Sequence, residues 1–185
     1  NACAAPKVVI NEVDYDQPAT DTAEFLELKN VSGGAIELDE YRIELTNGSM
    51  AGSIYQTIDL PSASVAAGDY YVICANTTTT ANCDLDVLPD SNLIQNGAPD
   101  GLRLMLGGAT VDALSYEGDT TGSTEGSGIG LDDTAAPGEG LSRCPDGADS
   151  DVNNADFSLR AISPGAANAC AAPKVVINEV DYDQP

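Results

Sequence analysis

Histidine and tryptophan are absent from the 185 residues, and lysine and arginine together number only 7. Without histidine there is no Ser-His-Asp triad, no Cys-His dyad and no imidazole-ligated zinc. Against 30 acidic residues the few cations leave a formal charge of -23. Such a field repels nucleic acid and anionic lipid over a Debye length of roughly 8 Å. No nucleic-acid partner and no membrane insertion are therefore expected. The sequence has no apolar run of spanning length and no signal-peptide pattern at its start, and is expected to be a piece of a mature chain. Aromatic rings are scarce too: two Phe and no Trp offer no platform for a sugar. Pairs of carboxylates therefore do not make a glycosidase, although an acidic chain always supplies such pairs. Residues 126–130 (GSGIG) lack the Lys and Ser/Thr of a phosphate loop. The chain is not expected to be an enzyme.

What is present begins with a 42% hydrophobic content, enough for one well-packed core. Residues 1–18 (NACAAPKVVINEVDYDQP) recur without a difference as residues 168–185, an offset of 167 positions. A fixed-period identity of this kind is the mark of a tandem array. The expected organisation is one repeat over residues 1–167, with residues 168–185 as the first strand of the next. The competing account is a single domain with a spare first strand that is donated to a neighbour. Either way the expected partner is another copy of the chain, in a head-to-tail array that stays open and forms a fibre. Five cysteines fit this frame, because Cys170 is the second copy of Cys3 and one repeat holds four. No C-x-x-C pair occurs, so disulfides and residence outside the cytoplasm are expected. Cys74 should bridge to Cys83, stapling the flexible ANTTTTAN loop between them. Cys144 should bridge to Cys170, which is nearer in sequence than Cys3 and closes an irregular segment.

Short runs that are β-branched or alternating predict strands over residues 7–13 (KVVINEV), 23–30, 35–46, 54–60, 69–75, 101–106 and 110–116, with a bulge or turn at Asp39-Glu40. Gly, Asn, Pro and Asp clusters separate them, and no helix is evident. The fold class is all-β, an immunoglobulin-like β-sandwich, with a β-barrel as the alternative. Residues 117–137 read as a long surface loop. Residues 137–167 show no periodicity, and their order is expected to depend on a disulfide and a metal ion.

Carboxylates at alternate positions of a tight loop can wrap calcium. Asp146, Asp149, Asp151, Asn153 and Asp156 are so placed, although Asn154 and Arg160 stand where an EF-hand has its turn Gly and bidentate Glu. A run of Asx-turns needing no ion is the alternative. A weaker calcium candidate is Asp14, Asp16, Asp21 and Glu24, at the end of the first strand and the start of the second. Asn30, Asn47 and Asn76 head formal N-glycosylation motifs, which would indicate exposure.

Residues 8–13 (VVINEV), 21–30 (DTAEFLELKN), 36–45 (IELDEYRIEL), 141–157 (LSRCPDGADSDVNNADF) and 164–168 (PGAAN) resemble the lamin-tail domain family in its bacterial form. The resemblance implies an immunoglobulin-like β-sandwich on secreted or surface proteins, sometimes beside extracellular hydrolase domains. It carries over no catalytic residue and implies binding, assembly or attachment. Together these readings predict a structural repeat of an extracellular filament or long cell-surface protein, stabilised by calcium. The alternatives are an accessory attachment module of a secreted hydrolase and a calcium-dependent adhesin.

Overall fold

The computed structural model describes residues 7–18, 20–128, 130 and 137–170. The second copy of the repeated segment, apart from residues 168–170, and Cys3 lie outside the described residues. Among the described residues twelve strands are formed: β1 (Val8–Asp14), β2 (Phe25–Asn30), β3 (Ile36–Glu37), β4 (Tyr41–Asn47), β5 (Ser53–Asp59), β6 (Ser64–Val65), β7 (Tyr70–Cys74), β8 (Leu85–Asp86), β9 (Asp100–Leu106), β10 (Ala109–Tyr116), β11 (Glu139–Arg143) and β12 (Phe157–Ala161). One sheet has the order β12-β11-β1-β2-β7-β8 and a second the order β10-β9-β4-β5, with β3-β6 as a small third pair. Every pairing is antiparallel except β7 with β8. The sheets remain open, so the architecture is a sandwich and not a barrel.

The β-branched segment at the start of the chain becomes the central strand of the larger sheet, between β11 and β2. Val8, Ile10 and Val13 turn into the main core with Leu26, Leu28, Ile73 and Leu141, and meet Ile43, Leu45, Leu102, Leu104 and Leu114 from the other sheet. Strict alternation would put Val13 on the opposite face from Ile10. A bulge between Ile10 and Glu12 corrects the parity and leaves Asn11 outside the ladder. At one end of the sandwich Tyr15 stacks on Tyr116 with ring centroids 4.1 Å apart. The expected turn at Asp39-Glu40 separates β3 from β4 and is closed by Tyr41 N–H donating to the Leu38 carbonyl at 2.8 Å.

Residues 137–167 are not the irregular segment the sequence suggests. Glu139–Arg143 pairs with β1 on one side and with Phe157–Ala161 on the other, so this stretch completes the larger sheet. A short helical turn, α1 (Asn153–Asp156), precedes β12. Asn30 is fully buried, its side-chain amide donating to the carbonyls of Gly34 and Val65, so it is no glycan acceptor.

From Ala161 the chain reverses. Residues 162–170 run back across the outer face of the larger sheet, where Ile162 covers Phe25, Val72 and the Cys74–Cys83 pair. The run ends at Cys170, bridged to Cys144, which directly follows β11. Among the described residues no helix is long and apolar enough to cross a membrane.

Candidate functional site

β11 alternates, so Ser142 faces outward and Leu141 and Arg143 face the core. Arg143 is wholly buried, an unusual place for one of so few cations. Its Nη2 donates to both carboxylate oxygens of Asp112 on β10, at 3.1 and 3.2 Å, which links the two sheets through the interior. Nη1 donates at 3.1 Å each to Asp149, Asp156 and the Ala148 carbonyl, and Nε to the Ile10 carbonyl at 2.9 Å. The guanidinium also lies 4.5 Å from the Phe157 ring centroid. Asp112 in turn accepts from the Ile10 amide at 2.6 Å. Burial pushes the Asp112 carboxyl up to about 6, against the pull of Arg143 and of the Ile10 and Ala113 amides.

Carboxylate oxygens of Asp112, Glu125 and Asp149 lie within 4.8 Å of one another, a buried or partly buried acidic triad that could hold a metal ion. Glu125 Oε1 accepts from the Ala113 amide at 3.2 Å, and Oε2 is buried with no hydrogen-bond partner. Burial, with Asp112 and Asp149 adding to it, raises the Glu125 carboxyl to about 8. Among the described residues this is the one such group.

Of the five residues of the expected calcium loop, only Asp149 belongs to it. Asp149 is paired with Lys7 and Arg143; burial pushes its carboxyl up, but the Lys7, Asp151-amide and Arg143 contacts outweigh this and hold it below its ordinary value. Asp146 pairs with Lys29 and accepts from Tyr70 Oη at 2.7 Å and from Asn11 at 2.9 Å. Asp156 takes Arg143 and the Ser150 hydroxyl. Asp151 is exposed. Asn153 acts as a substitute strand: its Oδ1 accepts from the amides of Ser115 and Glu125 at 3.1 Å each, and its Nδ2 donates to the Ala113 carbonyl at 2.9 Å. The loop is thus organised around cations of the chain itself.

The second expected group lies at the opposite end. Asn96 bridges Asp16 and Asp21 at 2.7 and 2.8 Å, and Gln17 donates to Asp14 and Asp21. Glu24 hydrogen-bonds elsewhere, its two oxygens taking the amides of Leu93 and Ile94 at 2.7 and 3.1 Å. Burial raises Asp14 to about 7 and Glu24 to about 8, with neighbouring carboxylates adding to it.

A third acidic group was not singled out by sequence. Glu12 and Glu27 are direct cross-strand neighbours on the outer face, both buried. They hold the returning segment: the Ser163 amide donates to both Glu12 oxygens at 3.0 and 3.1 Å, and the Gly165 amide to Glu27 at 2.7 Å. Asn168 Nδ2 then donates to the Asn11 and Arg143 carbonyls at 3.0 and 2.9 Å. Burial raises both acids, Glu27 to about 7. The two disulfides flank this run, Cys74–Cys83 beneath its start and Cys144–Cys170 at its end, as expected of an oxidising compartment.

The family model described as Lamin Tail Domain matches residues 1–118, more than half of the chain. A comparison with curated proteins finds no match.

Proposed function

The chain belongs to the Lamin Tail Domain family, and from that premise we propose that it is a structural repeat of an extracellular filament or long cell-surface protein, non-catalytic, in which each unit is joined to the next through the repeated strand. One observation carries the reading. The segment that recurs after 167 residues contains β1, the central strand of the larger sheet, whose apolar side chains are all buried. A second copy of so apolar a strand must bury the same face, and within one unit that position is already filled. The following unit offers it, whether the strand is that unit's own or is donated across a subunit boundary.

The reading includes calcium, which the all-oxygen donor set of Asp112, Glu125 and Asp149 suits by chemical type. Arg143 and Lys7 already pair with Asp112 and Asp149, so the cation would serve Glu125, whose Oε2 has no other partner. Millimolar Ca²⁺ should raise the melting temperature of the wild type and leave Glu125→Gln unmoved; equal response of both proteins would remove calcium from the reading. The array itself is tested by limited proteolysis and mass spectrometry of the native material. A ladder stepping by one 167-residue unit is expected, and a single unit beside a catalytic domain would establish instead an accessory module of a hydrolase.

A further inference from the structure

We propose that consecutive units meet through the same end of the sandwich, so that each body stands off the array axis instead of following its neighbour along it. The inference rests on the repeat reading above and names the surface at which copies meet.

The chain enters and leaves the unit at one end. β1 begins beside Lys7, whose carbonyl accepts from the Val31 amide and whose amine pairs with Asp149. At the same level, Lys29 faces Val9 across the ladder and pairs with Asp146. The other end of β1, Asp14, lies level with Phe25 and Cys74, next to the Tyr15–Tyr116 stack. The returning segment starts at that far end, where the Ile162 amide bonds the Gly138 carbonyl. It passes Glu12 with Ser163 and Asn11 with Asn168, and reaches Cys144 with Cys170. It therefore runs antiparallel to β1 and delivers the chain back to the Lys7 end.

The link to the next body is short. Cys170 is fixed to one unit by its disulfide, and Lys174 is the counterpart of Lys7, four residues on. Four residues span at most about 14 Å. Setting the far end of one unit against the entry end of the next would require the link to travel the length of β1, seven residues or roughly 23 Å, before any loop is counted. The link cannot reach that far. Near ends must face each other, around the surface carrying Lys7, Val31, Tyr70, Asp146 and Gly147. The geometry is the same for a covalent and for a donated strand, because in both cases residue 174 takes the place of Lys7 in the following body.

The test is a set of distances in a chain of two consecutive units. Gly33 lies in the loop after β2 at the near end, with no atom within 4 Å of an added Cβ. Met50 follows β4 at the far end and is 67% exposed. Spin labels introduced at these positions through non-cysteine chemistry, read by double electron–electron resonance, should make Gly33 to Gly33 the shortest inter-unit separation and Met50 to Met50 the longest. A separation from Met50 of the first unit to Gly33 of the second that is the shortest of the set would overturn the inference. Failure of the repeat reading is seen separately, as the absence of a 167-residue ladder from native material.

Discussion

Replacing Arg143 by Met removes a cation that reaches between the sheets while keeping most of the side-chain volume. Asp112, at 1% exposure, then has no counter-charge, and Asp149 and Asp156 each lose one. Breaking a buried ion pair from one side costs about 3–5 kcal/mol, because the stranded charge has neither water nor partner. For a chain of this size that corresponds to a fall in Tm of roughly 6–20 °C. The loss should shrink in acid. Asp112 already sits near 6 with Arg143 present, so without it the carboxyl protonates at still higher pH and ceases to be a stranded charge. Adding Asp112→Asn to Arg143→Met should recover part of the loss, since the amide can still accept from the Ile10 amide. Urea denaturation of the wild type and the two variants at pH 5 and pH 7.5 measures all of this. A single-variant loss below about 1 kcal/mol at pH 7.5, with no pH dependence, would refute the reasoning.

Replacing Cys144 and Cys170 with Ser frees a 26-residue loop and should cost about 3 kcal/mol, with faster amide exchange at Ser163 and Gly165. Asn153→Ala leaves the amides of Ser115 and Glu125 and the Ala113 carbonyl without their partners and should destabilise by about 2–4 kcal/mol in a denaturant titration. Stability should fall with rising pH: the folded protein holds Glu24, Glu27 and Asp14 at about 8, 7 and 7, above their ordinary 4.5, 4.5 and 3.8, so it binds more protons than the unfolded chain across that interval. The Tm should therefore be highest near pH 4.5 and decline towards pH 8, and a Tm that rises over this range would contradict the assignment.

The strands from β1 to β10 that exceed two residues are legible because each carries either a β-branched run or an alternation, and each is bounded by turn residues. The last two long strands were not, for reasons visible in their residues. Glu139–Arg143 places an arginine on the core face, and Phe157–Ala161 is half-exposed, so neither shows an alternation of apolar and polar. The loop that follows is tied to the same arginine. Asp149 and Asp156 both take its guanidinium, a contact between residues 6 and 13 positions apart that spacing alone does not show. A usable signal existed: with 7 basic residues for 30 acidic ones, each cation is expected to serve several carboxylates, and Arg143 serves three. Glu12 and Glu27 were invisible because only pairing shows that they are neighbours, and only the chain reversal at Ile162 shows what they hold.

The disulfide from Cys144 to Cys170 also determines how such an array would answer to tension. Force arriving at Lys7 pulls on the start of β1, and force leaving through Cys170 passes across the sulfurs to the end of β11. β1 and β11 are antiparallel neighbours, and these two points lie at the same end of the pair. The load therefore falls on one rung at a time, peeling the strands apart from that end, and residues 145–169 are bypassed. Strands pulled from opposite ends would share the load across every rung at once. In single-molecule stretching, attachment at residues 7 and 170 is expected to open the sandwich at lower force than attachment at residues 14 and 170, so a unit built to this plan yields early under tension and lengthens before its covalent links are strained.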